Sequence, residues 1–189
     1  MNVQGTVRSR ALASLGCAAL LVALSTQEPV VVRADTGLTI TAPGTLTLPA
    51  LVMGRSTAAT ALGSLSWTDT LNTGTAWSVT LAATNLWHAA GAGLYIPWAR
   101  FTITVDPTPV PDSMDTGDPV VVPPGSPYVL AGAATTDFST FSTPITLATG
   151  SATSQGTWTT ANNRIVVAVP ANTTPSTSFV GTIQYTLTG

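Results

Sequence analysis

The sequence contains no lysine, a single histidine (His88) and a single cysteine (Cys17), and only 7% of its residues carry charge. Each scarcity closes a route. Without clustered Lys or Arg there is nothing to displace phosphate counterions, so nucleic-acid binding is excluded as an expectation. With one histidine, a Ser-His-Asp triad has one choice of base, and His88, in Asn85-Leu86-Trp87-His88-Ala89-Ala90-Gly91, reads as a surface or loop residue beyond the end of a strand, away from any Gly-x-Ser-x-Gly. The straight-chain residues that favour helices are scarce as well, whereas Thr and Val abound, and this composition leans towards an all-β fold.

Half of the six arginines (Arg8, Arg10 and Arg33) fall in the first 34 residues. Beyond them, Arg55, Arg100 and Arg164 face seven aspartates (Asp35, Asp69, Asp106, Asp112, Asp115, Asp118 and Asp137), so the remainder is acidic. Arg8 and Arg10 precede the uncharged run Ala11 to Leu24, whose 14 residues suit the apolar region of a secretory signal peptide and fall short of a membrane span. Small residues at −3 and −1 allow cleavage after Ser25 or after Ala34. The second is preferred, because strand-like alternation begins at Gly37. Cys17 lies inside the run and not after it, unlike a lipoprotein cysteine. The expected organisation is therefore a signal peptide over 1–34 and one domain over 35–189 that has neither cysteine nor a transmembrane anchor.

Past residue 36, apolar and polar residues alternate repeatedly, the period of strands with one buried face. Leu38 and Ile40, Leu46 and Leu48, Trp77 with Val79 and Leu81, and Phe101 with Ile103 and Val105 mark four such faces. Ile145 and Leu147, Ile165 with Val167 and Val169, and Phe179 with Ile183, Tyr185 and Leu187 mark the rest. About eight to ten short strands with no convincing helix predict an immunoglobulin-like antiparallel β-sandwich, with a barrel as the alternative. The segment 106–128 carries seven prolines and reads as a loop or edge insertion.

Within this pattern, Trp67-Thr68-Asp69-Thr70 is followed by a Gly-containing turn and Trp77-Ser78-Val79. Near the end, Val169-Pro170-Ala171-Asn172-Thr173 leads to Tyr185-Thr186-Leu187. The layout resembles the WxL domain of Gram-positive surface proteins. Both Trp-x-Leu motifs are altered here, the first to Trp77-Ser78-Val79 and the second to Tyr185-Thr186-Leu187, and Thr70 follows Asp69 where the family commonly has Arg-Gly. The resemblance implies a β-sandwich at the cell envelope, bound non-covalently to peptidoglycan, with Trp67, Asp69, Trp77, Val79, Tyr185 and Leu187 as motif or core positions. No LPxTG-type signal follows Thr188-Gly189, which agrees with non-covalent retention or release.

Three sets of residues are candidate sites. Trp87 and Trp98 bracket the small-residue stretch Ala89 to Gly93 and are candidates for displaying aromatic faces to a sugar, although the core is the favoured place for both. Asp112, Asp115 and Asp118 form an acidic loop that reads either as a calcium site or as a solvated turn, its spacing of three differing from the spacing of two in an EF-hand-type loop. Trp67 and Trp77 share parity with apolar neighbours and belong to the core, while Trp158, between two threonines, takes neither face by pattern. No cofactor and no enzymatic activity are expected. The expected function is a secreted, non-catalytic module whose partners are a cell-wall polymer or other surface proteins. The alternatives are a pilus-like subunit that assembles by lending a strand, for which Val30 to Val32 in the segment 26–34 would serve if cleavage follows Ser25, and a secreted hydrolase.

Overall fold

A computed structural model describes residues 20–26, 37–70, 74–88, 95–111, 120–132, 139–172 and 179–189. In chain order the strands are β1 (Leu20–Thr26), β2 (Leu38–Thr41), β3 (Leu46–Leu51), β4 (Thr60–Ala61) and β5 (Leu65–Asp69). There follow β6 (Trp77–Ala83), β7 (Leu86–His88), β8 (Tyr95–Ile96), β9 (Phe101–Thr104) and β10 (Val110–Pro111). The last five are β11 (Tyr128–Val129), β12 (Ile145–Gly150), β13 (Gly156–Thr160), β14 (Arg164–Val167) and β15 (Phe179–Thr188). A single 3-10 turn, Trp98–Arg100, is the only helical element among the described residues. The fold is thus all-β and sandwich-like, as the alternation predicts. Its strands outnumber the expected eight to ten because four of them are two-residue pairings at sheet edges and β1 begins within the segment expected to be a signal peptide.

Three sheets enclose one core. The largest runs β12-β6-β15-β1-β3, with β7 on β15 and β8 on β7; the others run β10-β13-β5-β2 and β11-β9-β14-β4. All three send side chains into one apolar cluster that includes Trp67, Trp77, Trp98, Trp158, Phe101 and Phe179. Burial follows the sequence alternation: in β5, Leu65, Trp67 and Asp69 are buried while Ser66 and Thr68 are half-buried. In β6 the same holds for Trp77, Val79 and Leu81 against Ser78 and Thr80. A β-branched threonine suits the wetter side of such a strand, where its methyl covers the sheet and its hydroxyl meets water or a neighbour. Thr68 and Thr157, for example, share a hydroxyl contact of 2.9 Å across β5 and β13.

β15 is an interior strand. It pairs antiparallel with β6, setting Leu187 opposite Val79 and Tyr185 opposite Leu81, so the stretches 77–79 and 185–187 lie on neighbouring strands and meet at Val79 and Leu187. Lower down it pairs with β7, Phe179 facing His88. At the changeover Gly181 suits a close approach: a Cβ there would stand 3.0 Å from the Asn85 carbonyl oxygen and from Leu86 Cδ2, tight enough that a neighbour would have to give. Thr84 fills the junction, its hydroxyl accepting from the Thr182 amide at 2.9 Å.

Two departures from the expected arrangement concern the chain's ends and the proline-rich segment. Leu20–Thr26, which begins within the segment expected to be a signal peptide, lies between β15 and β3, and its pairing with β15 is parallel. Strands from opposite ends of a chain share no hairpin, so nothing local imposes the antiparallel sense. The described parts of 106–128 do more than cross the surface. β10 borders β13, Val121 bridges Thr149, and β11 borders β9, so the segment lines an edge of each sheet. Proline is tolerated there because an edge strand has donors to spare. The segment is anchored where it begins: Asp106 accepts from the Thr108 amide at 3.1 Å and the Asn162 amide at 3.3 Å, and the Asp106 amide donates to Asn163 Oδ1 at 2.8 Å.

Candidate functional site

An open groove of about 790 Å³ lies at the ends of β6, β12 and β15. Its floor is Trp77, whose indole lies across Gly150: a Cβ on Gly150 would come within 2.1 Å of Trp77 Cε2, so no larger residue fits beneath the ring. The indole is fixed at its far side, where Nε1 donates to the Ser154 carbonyl at 3.2 Å. Ser154 is itself held in the turn after β12, its amide donating to the Ser151 carbonyl at 3.1 Å and its hydroxyl accepting from the Ser151 amide at 3.0 Å. Behind the floor, Trp77 meets Trp158 at 5.1 Å and Trp67 at 6.3 Å between ring centroids, and Trp67 stacks on Trp158 at 6.5 Å. This trio gives Trp158 the core position that its flanking threonines left undecided.

The lining exposes more apolar than polar surface, with hydroxyls along its edges. Ser78 and Thr188 hydroxyls stand 3.1 Å apart on one side. On the other, Val121 and Thr149 exchange backbone hydrogen bonds of 2.9 and 2.8 Å, leaving the Val121 side chain 57% exposed at the rim. Among the described residues, no Asp, Glu, Lys, Arg or His belongs to the lining. A largely apolar floor edged by hydroxyls and peptide groups suits a neutral ligand that has both an apolar face and hydrogen-bonding groups.

The residues singled out from sequence scatter. Trp98, a candidate either for display or for the core, is 1% exposed and takes the core position. β8 folds back onto β7 after the Ala-Gly stretch, and Asn85 Oδ1 accepts from the Trp98 amide at 3.0 Å, so the ring returns to the core. Trp87 is half-buried on β7 and stacks on Tyr95 with centroids 4.9 Å apart. The two tryptophans therefore do not form a joint platform, and the half-exposed aromatic pair is Trp87 with Tyr95. His88, expected beyond a strand end, belongs to β7 and meets Phe179 edge-on at 5.6 Å. Along β15 it is nine residues from Thr188, about 30 Å from the groove. Asp112, Asp115 and Asp118 lie outside the described residues, and among those described no group of three His, Cys, Asp or Glu comes together. Trp67, Asp69, Trp77, Val79 and Leu187 are all buried, and Tyr185 is partly buried against the core.

Sequence reasoning missed the groove because four separate segments build it, 76–78, 121, 149–151 and 188–189. The one local signal was Gly150 at the end of an alternating strand, a position where glycine often marks a close approach. Compared with known proteins, the chain matches no family model and no curated protein sequence. Among the described residues, no helix is long and apolar enough to cross a membrane.

Proposed function

We propose that this chain is an exported, non-catalytic module of the cell envelope, a wall-associated binding or structural unit that takes peptidoglycan or another surface glycan in the groove over Trp77. The observation that carries the reading is the lining itself: a largely apolar floor at Trp77, edged by Ser78, Thr149, Ser151 and Thr188, with no charged side chain among the described residues. A polyhydroxylated chain exchanges its water hydrogen bonds for protein ones there without stripping a charge of solvent. Arg8 and Arg10 before an uncharged run support export, and the resemblance in layout to WxL domains supports placement at the wall. The partners under this reading are the wall polymer and other surface proteins.

The test is co-sedimentation of the exported protein with isolated Gram-positive cell walls. The wild-type protein should pellet with the walls, and Thr188→Arg, which puts a bulky charge at an exposed position on the rim, should weaken retention at least about tenfold, the equivalent of about 1.4 kcal/mol. Equal retention of both would remove the groove from the reading. Failure of the wild-type protein to pellet would remove the wall.

A further inference from the structure

The strand that export would cut away is an interior member of the largest sheet. β1 pairs with β15 from Val22 opposite Phe179 to Thr26 opposite Ile183, and with β3 from Leu48 opposite Val22 to Leu46 opposite Leu24. β3 has no other strand partner among the described residues, yet its Leu48 and Leu51 are buried in the core. Removing β1 leaves β3 and the Phe179 to Ile183 half of β15 facing each other across a gap of two strand spacings, about 9.6 Å. Backbone donors and acceptors on both sides then lack partners, and the core opens beside Phe179.

We propose that in the exported protein this gap is filled by Val30 to Ala34 of a second copy of the chain, running parallel to β15. The proposal rests on the export reading, with cleavage after Ser25. The register selects the segment. With Val30 opposite Phe179, Val30, Val32 and Ala34 take the positions that are in step with Phe179, Gly181 and Ile183, all of them buried. Val31 and Arg33 fall in step with Val180 and Thr182, on the side where Val180 is 43% exposed. Pro29, which lacks an N–H, falls level with Leu21, where the β1–β3 ladder already shifts register.

Geometry favours a donor in trans. With Ala34 opposite Ile183, four residue steps remain to Leu38, a reach of about 14 Å at full extension. Leu38 packs at Gly189, its Cδ1 within 2.7 Å of where a Cβ would stand, and Gly189 is six residues beyond Ile183, about 20 Å of strand. A chain refilling its own gap would be drawn taut, whereas a neighbour's segment brings its own domain with it. Each copy then offers one gap and one strand, so the contact is head-to-tail and propagates.

The test uses the full chain, expressed in a host that exports it and recovered from outside the cell. Mass spectrometry reads the N-terminus, and light scattering reads the assembly size. Val31→Cys and Val180→Cys variants, prepared separately and mixed under mild oxidation, should form a disulfide between copies, since removal of Cys17 leaves no native thiol. Val31→Cys mixed with Val121→Cys should not. The expected result is a start at Thr26, oligomers, and cross-linking of the first pair alone. A start at Asp35 leaves export standing and overturns the donor. A start at Thr26 with monomers, or with cross-links only within a Val31→Cys/Val180→Cys double variant, overturns exchange between copies. A start at Met1 overturns the export reading itself, and with it the gap.

Discussion

Replacing Trp77 with alanine should destabilise the protein severely, and the structure separates the contributions. The indole is 3% exposed and touches Trp67 and Trp158, so deleting it leaves a cavity of the kind that costs about 3–5 kcal/mol. The Ser154 carbonyl also loses its indole donor, which adds about 1 kcal/mol. Against a typical total of about 5–15 kcal/mol, the variant is near the limit of folding. With a urea slope of about 2 kcal/mol per molar, the midpoint should fall by about 2–3 M, read by fluorescence and far-UV circular dichroism together. A gentler comparison isolates the hydrogen bond. Trp67→Phe and Trp77→Phe remove similar apolar volume from buried positions, but Trp67 Nε1 has no hydrogen-bond partner among the described residues whereas Trp77 Nε1 donates to Ser154. Trp67→Phe should therefore cost about 1–2 kcal/mol less than Trp77→Phe. Equal midpoints for the two variants would mean that the Ser154 bond contributes nothing net, and an unchanged midpoint in Trp77→Ala would place the ring outside the core.

Gly150→Ala should cost about 1–3 kcal/mol or more by overpacking, because the new Cβ would stand 2.1 Å from Trp77 Cε2; a wild-type melting temperature would show that the ring has room to move. Ending the chain after Ser178 should give insoluble or protease-sensitive material, since β15 is the shared partner of β1, β6 and β7; a soluble, cooperatively melting product would make that strand peripheral. Burial holds the Tyr185 phenol above its usual value of 10.0. The folded state thus keeps a proton that the unfolded chain gives up, so this contribution is intact below about pH 10 and is lost as pH rises beyond it. Tyr185→Phe should flatten the alkaline fall in stability measured by urea titration between about pH 9 and 11, and an unaltered slope would refute the assignment.

Much of the fold was legible because a strand's period of two is a local property. Leu65, Trp67 and Asp69, or Phe101, Ile103 and Val105, declare a buried face whatever they pack against, since a one-residue slip would turn every apolar group to water. Trp77 as core and β15 as an apolar stripe follow from the same rule. Trp98 did not, because a stretch of Ala and Gly has no period, and whether the chain returns to the core after it depends on β8 finding β7. His88 was misplaced for a related reason: a three-residue strand carries too little pattern, and its partner is Phe179, more than ninety residues away.

By itself, then, the sequence determined the fold class, the apolar faces and the scarcity of charge, all of which are properties of the chain read along its length. The tertiary structure alone decided which strands meet. It joined 76–78, 121, 149–151 and 188–189 into one groove, brought three tryptophans from three strands into contact, and set Leu20–Thr26 beside the final strand. Those are pairings between distant segments, selected by the free energy of burying shared surface and satisfying backbone groups across the whole domain, and no local period encodes them.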